Sequence, residues 1–351
     1  MPLNVVFREA KLAALALAKV GNPARSEPLR TSKTLCRFAD EEADLLTHCF
    51  LKSFRSLELH QLHHHSDLAQ NELHRYATAI FQDNDSLIEQ SAAIARHLHA
   101  KSNHPNIKSG DLCVALIDGL IVAGKTVQGL SIVKSESRVP FLQISERDGD
   151  LRLTTEQGIY PDKIDKGCLI VDHDRADGYV VYLFDKSGGS TWFWNREFVG
   201  AVPVKNDDYL TRHFSKLCVE FAEKGLPEET PQEERMEVAR RAISYLDEAD
   251  DFDLGDFQEK ALAEPERIEQ FKAFKADYEE EQGEELEERF TVSKPEAQKA
   301  RKRLKSRLKL DVGVDIRFSS GFIAQSEHFL ERGHDDERDM DYVKLWFHRE
   351  V

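Results

Sequence analysis

The sequence predicts an α+β fold, and three features of the 351-residue chain carry that prediction. From Asp40 to His99 apolar residues recur at helical spacing. From Gly110 to Lys186 the pattern becomes short apolar or alternating runs broken by Gly and Asp, the signature of strands. From Asp207 onward helical spacing returns in acidic company, and a basic helix with a strand pair closes the chain. A chain of this length exceeds the usual single domain. The expected division is an α+β domain with an antiparallel sheet over 1–204, an acidic helical region over 205–290, and a basic helix with a β-hairpin over 291–351.

In order, Leu12–Asn22 (LAALALAKVGN) is rich in alanine yet ends in a Gly-Asn turn, so helix and buried strand both fit it. Asp40–Phe54 is a helix with acids in its first turn, and Asp67–Phe81 and Ser86–His99 follow as two more. The runs after Gly110 make a consecutive antiparallel meander of about six or seven strands, with turns expected at Asp118-Gly119, Asp148-Gly149 and Asp177-Gly178. Trp192-Phe193-Trp194 is expected to plug the core beside this sheet. Asp207–Lys224 is an amphipathic helix, and the two-proline segment Gly225–Glu234 is a hinge or linker. Acidic helices are expected over Pro231–Glu248, Leu254–Ala263 and Pro265–Glu281, and final strands near Val312–Phe318 and Tyr342–His348.

The stretch Ser293–Leu310 reverses the sign of the chain. It holds Lys294, Lys299, Arg301, Lys302, Arg303, Lys305, Arg307 and Lys309 against the single acid Glu296, within a protein of formal charge −16. Ser293 and Glu296 have capping-box spacing and Pro295 is tolerated in a first turn, so a helix is expected to start here and run to about Leu310, a span of roughly 22 Å. Ala297, Ala300, Leu304 and Leu308 form one narrow apolar stripe, and cations occupy nearly all the remaining circumference. Such a helix suits the phosphate backbone of DNA, which rewards Lys and Arg without reading base sequence. The competing view is a solvated helix that offsets the acidic run before it, in which Asp277, Glu279, Glu280, Glu281, Glu284, Glu285, Glu287 and Glu288 occur with no base among them.

Other chemistries are poorly supplied. Cys36, Cys49, Cys113, Cys168 and Cys218 are odd in number and never at C-x-x-C spacing, which argues against a disulfide framework or a thiolate zinc site. His60, His63, His64 and His65 cluster without an H-E-x-x-H pattern, and Asp172, His173 and Asp174 fit a polar turn as well as an acid–base group. Ser187-Gly188-Gly189-Ser190 lacks the Lys of a phosphate-cradling loop. No catalytic residue, metal site or cofactor is therefore assigned. No window approaches the roughly 20 apolar residues of a membrane span, and the N-terminus does not read as a secretory signal.

Laid out in order, the phrases AKVGN (Ala18–Asn22), FLKSF (Phe50–Phe54), HPNIKSGDLCVAL (His104–Leu116), DKGCLIVDHD (Asp165–Asp174), FKADYEEE (Phe274–Glu281), KSRLKLDVGVDIRF (Lys305–Phe318) and the closing DYVKLWFHRE resemble bacterial nucleoid-associated proteins of the NdpA/YejK type. The resemblance covers nearly the whole length. It implies a strand at Leu12–Val20, a cytoplasmic and nucleoid location, binding of double-stranded DNA with little sequence preference, and contact with DNA-processing enzymes such as a topoisomerase. Ala18 departs from it, standing where relatives are expected often to carry His.

The function expected is thus an architectural or accessory DNA binder, not an enzyme, that contacts DNA through the eight cations of the basic helix and forms a homodimer. Two rivals stand beside it: an acidic adaptor for a DNA-processing enzyme or for defence against foreign DNA, and a metal-dependent enzyme acting on DNA.

Overall fold

The computed structural model describes residues 5–54, 57–160, 162–186, 192–282, 285–305, 307–310, 312–317 and 329–349, apart from the side chains of 232, 233, 282, 305, 307–309, 317, 330 and 332. The chain divides into two compact units, Met1–Val204 and Lys205–Val351.

Unit 1 runs β1 (Val5–Val6), β2 (Lys11–Val20), β3 (Arg30–Thr31), α1 (Asp40–Leu51), β4 (Leu59–Leu62), α2 (Glu72–Gln82), α3 (Leu87–Lys101), β5 (Gly110–Val122), β6 (Lys125–Ser135), β7 (Val139–Arg147), β8 (Asp150–Gly158), β9 (Lys166–Val171), β10 (Val180–Asp185) and β11 (Ala201–Pro203). Nine of these strands build one antiparallel sheet in the order β11-β4-β10-β9-β6-β5-β2-β3, with β1 paired to β5. The fold is α+β, as the sequence predicts.

The alanine-rich opening is a strand, because β3 and β5 flank it and its apolar residues Leu12, Leu15, Ala16 and Val20 are buried. Leu112 to Ile117 of β5 are buried without alternation, since both faces of the sheet are covered. One face packs Leu112, Val114, Ile132 and Ile170 against Leu73, Ile80, Ile94 and Leu98 from α2 and α3. The other packs Cys113, Ala115, Val133 and Leu169 with Phe50 from α1 and with Phe54. Trp194 plugs the first cluster, fully buried, and its indole N–H donates to the Gly167 carbonyl at 3.0 Å. Trp192 is exposed and does not join the plug.

Two expectations about this sheet need correction. The meander is not consecutive: β6 pairs with β9, and the intervening β7 and β8 leave as a separate two-stranded ribbon. Asp118-Gly119 is not a turn but a bulge inside β5, where the register against β6 shifts between Ile117 and Leu120. Gly119 is required there, with φ +78° and a Cβ that would stand 2.2 Å from the Glu9 carbonyl oxygen.

Unit 2 runs α4 (Asp207–Glu220), α5 (Gln232–Glu248), β12 (Asp251–Asp253), α6 (Leu254–Phe257), α7 (Pro265–Gln282), β13 (Arg289–Thr291), α8 (Lys294–Lys305), β14 (Arg307–Lys309), β15 (Asp315–Arg317), β16 (Leu330–Asp335) and β17 (Met340–Leu345). Phenylalanines dominate its core: Phe214 of α4 meets Phe252, Phe257, Phe271 and Phe290 at ring-centroid distances of 4.1 to 6.1 Å. Val292 and Ala297 belong to the same buried cluster, so α8 shares its core with the acidic helices.

The segment expected to be a hinge is a fixed loop. Leu226 is buried, and the Arg235 guanidinium donates to the carbonyls of Ala222, Glu223, Leu226, Pro227 and Thr230. The closing strands do not pair with each other either: β14 pairs with β15, and β16 with β17.

In unit 1, fully buried Asn22 joins two of the phrases quoted above. Its side-chain amide donates to the carbonyls of His104 and Ile107 at 2.8 and 2.7 Å, and its Oδ1 accepts from Ala24 N–H. Asn22→Ala strands these carbonyls and should lower stability by about 1–3 kcal/mol. Urea denaturation checks this, and an unchanged midpoint would show that the loops hold without it.

Candidate nucleic-acid interface

The basic helix α8 begins at Lys294, as the sequence leads one to expect, but the expected capping box does not form. Ser293 Oγ donates to Asp208, its N–H donates to Thr211 Oγ1 at 2.9 Å, and Glu296 turns to Arg212 at 3.1 Å and Lys299 at 2.6 Å. Both capping partners are drawn to α4, which offers Ser293 a carboxylate and a hydroxyl and Glu296 a guanidinium. The helix ends at Lys305 rather than Leu310, which makes it about 18 Å long at about 1.5 Å per residue. Beyond it the backbone turns at Gly313 (φ +83°), and Arg307–Lys309 become a strand against Asp315–Arg317.

The apolar stripe docks as expected. Ala297 is fully buried, and Ala300 and Leu304 pack on the unit 2 core. Leu308 falls outside the described side chains.

The cations divide by what they touch. Lys294 Nζ donates to the carbonyls of Asp247, Glu248 and Ala249 at 3.1, 3.2 and 2.6 Å, with the Asp250 carboxylate at 3.1 Å. These are the last carbonyls of α5, so Lys294 caps that helix and answers the negative end of its dipole. Arg301 pairs with Asp247 and remains half exposed. Lys299 reaches Glu296 with its side chain 60% exposed. Lys302 and Arg303 are exposed, and Lys302 makes no ion pair among the described residues. The side chains of Lys305, Arg307 and Lys309 lie outside the described set. At 100° per residue Lys299, Lys302 and Arg303 project away from Ala297 and Leu304, and so away from the core.

The carboxylates met by Lys294, Lys299 and Arg301 are Asp250, Glu296 and Asp247, and none belongs to the acidic run 277–288. Within that run Glu279 answers Lys275 and the Leu286 N–H, and the Glu285 carbonyl accepts from Lys205.

The other tempting residues are placed individually. His60 lies in strand β4, so the helical spacing to His64 does not arise. His74, His97 and His99 bond the carbonyls of Arg175, Phe198 and Glu27. Asp172 pairs with Arg175 in the turn that Gly178 closes at φ +96°. Among the described residues no three His, Cys, Asp or Glu side chains are grouped so as to hold a metal ion. The Ser187–Ser190 loop is outside the described residues. Burial pushes the Cys49 thiol up to about 11 and Cys113 to about 12, which keeps both protonated and unreactive at neutral pH. No helix among the described residues is long and apolar enough to cross a membrane.

Compared with known protein families, residues 19–339 match the family described as nucleoid-associated protein YejK. The chain belongs to that family. The match spans both units and includes the whole of α8, so the basic helix is part of the family body rather than an appendage. No curated protein and no solved structure matches this chain.

The pair that ties α8 to α4 makes a pH-dependent prediction. Burial raises the pKa of Glu296, but hydrogen bonds and charge from Arg212 and Lys299 outweigh it and hold the carboxyl below its ordinary range. A depressed folded-state pKa contributes stability above the unfolded value and loses it as pH falls through the folded value. Glu296→Gln should therefore cost about 1–3 kcal/mol at neutral pH, with the difference from the parent closing as pH falls below the ordinary Glu range. A pH series of urea melts reads this out; a gap that widens in acid would contradict it.

Proposed function

We propose that this protein binds double-stranded DNA through the phosphate backbone, largely without sequence preference, in an architectural or accessory role. The observation that carries the reading is the division of labour on α8. Its inner edge is anchored by Ala297, Lys294 and Arg301, while Lys299, Lys302 and Arg303 face solvent. Membership of a nucleoid-associated family supports the same ligand and a place on the nucleoid within the cytoplasm. The reading is one of binding, not catalysis.

Each phosphate neutralised contributes about −0.9 to the slope of log affinity against log salt. The combined variant Lys299→Gln, Lys302→Gln, Arg303→Gln should flatten that slope by about 2 to 3 on random-sequence duplex. A slope equal to the parent's would remove α8 from the interface. The acidic surface of unit 2, with Glu266, Glu269 and Glu280 along α7, suits a basic protein partner such as a DNA-processing enzyme.

The dimer belongs to the same proposal. The β7–β8 ribbon pairs Leu142 with Thr155, Ile144 with Leu153 and Glu146 with Leu151, so Leu142, Ile144, Leu151 and Leu153 share one face. All four are at least 63% exposed. An isolated two-stranded ribbon is marginal in water unless a further element covers its apolar face. The ribbon carries four acids and two bases, which disfavours a polyanion as that cover and suits a second copy of the same face. Light scattering should give a dimer for the parent and a monomer for Ile144→Ser, Leu153→Ser; a monomeric parent would refute the dimer.

A further inference from the structure

Unit 1 gathers cations that the basic helix does not account for. Residues 91–110 contain no Asp or Glu and carry Arg96, Lys101 and Lys108, while residues 10–39 carry six bases against Glu27. The fold brings Lys19–Arg30 of the second stretch to the first at one end of the sheet, where β2 ends, β5 begins and α3 delivers its last turn.

The junction is rigidly built. Asn22 holds the 104–107 loop, the Arg25 guanidinium donates to the carbonyls of Pro105 and Ile107 at 3.2 Å, and His99 meets the Glu27 carbonyl at 3.1 Å. Fully buried Lys134 pins the next turn from below, donating to the Lys108 carbonyl at 2.6 Å and to Glu136 at 2.7 Å. On the sheet itself Lys19 lies opposite Arg30 in β3 and opposite Asp111 in β5, so the three form a cross-strand row on the face opposite α3. Lys101 and the Lys108 backbone stand on the α3 side, and the four cations flank this end of the sheet from both faces.

The two half-buried acids beside these cations are already answered. Glu27 accepts from the Asn22 N–H at 3.0 Å and from Arg25 at 3.1 Å, and Asp111 meets Arg138 at 2.9 Å. Lys19, Arg30, Lys101 and Lys108 are exposed and make no ion pair among the described residues. Four unanswered cations on a fixed frame are what a polyanion's backbone requires. Protection of an edge strand accounts for Arg30 alone, because Lys101 and Lys108 are not on a strand.

We propose that this end of the sheet is a second phosphodiester-binding surface, at which Lys19, Arg30, Lys101 and Lys108 contact the backbone of duplex DNA. The inference rests on the reading of the chain as a duplex binder and adds to it a surface on the other unit. The test uses the full chain with Lys19→Gln, Arg30→Gln, Lys101→Gln and Lys108→Gln combined, a labelled random-sequence duplex, and a series of potassium chloride concentrations. The log–log salt slope should flatten by about 3 to 4 relative to the parent, with α8 intact.

A parent that binds while this variant keeps the parent's slope overturns the second surface and leaves the duplex reading standing, and so does a variant that self-associates at unchanged slope. A parent that binds no duplex at low salt overturns both. If circular dichroism shows the fourfold variant unfolded, Lys101→Gln with Lys108→Gln serves instead. It should remove about half of the slope change, and no change overturns the proposal.

Discussion

Lys294 closes the C-terminal end of α5, and that contact decides which way the basic helix faces. A lysine in the first turn of a helix is opposed by its own helix dipole, yet here the ammonium lies at the negative end of another helix, among three carbonyls and Asp250. With Ala297 buried on one side and Arg301 held by Asp247 on the other, α8 has one rotational setting. Lys299, Lys302 and Arg303 are then presented to water as a consequence of packing.

On the proposed reading, an acidic protein has to meet an anionic ligand. Of the chain's net charge of −16, unit 1 carries −3 and unit 2 carries −13. Long-range repulsion of DNA is therefore concentrated in the unit that also bears α8, and is screened beyond about 8–10 Å at physiological salt. Close contact depends on where cations lack local carboxylates. The acidic run beside α8 in sequence does not supply the partners seen at Lys294, Lys299 and Arg301; those come from α5, the turn after it and α8 itself. Neighbourhood in sequence and neighbourhood in space part company here.

The sign and stripe of α8 were legible in the sequence because both are periodic properties of a single segment: Ala297, Ala300 and Leu304 dock as the wheel places them. The role of Lys294 was not legible, since its acceptors lie 45 to 47 residues upstream. The capping box misled for the same reason: Thr211 and Arg212 compete for Ser293 and Glu296 from 82 to 84 residues away. Arg307–Lys309 contains no helix breaker, and its strand is seen only in the pairing with Asp315–Arg317. In unit 1 the strand pattern was clear, but alternation cannot say which strands stay together. β7 and β8 are short, turn-bounded runs like their neighbours and yet stand apart, and Asp118-Gly119 has turn chemistry while serving a bulge. The pairing of Lys19 with Arg30 was hidden because the two are eleven residues apart in sequence and meet only when β2 pairs with β3.

The central claim is that localised cations on an acidic chain grip a phosphate backbone without reading its bases. The most direct measurement is the affinity of the intact protein for two duplexes of equal length and unrelated sequence across a range of salt. The account predicts equal affinities and a common linear log–log decline with a slope of about −3 or steeper. A large difference between the duplexes, or no binding at the lowest salt, would contradict it.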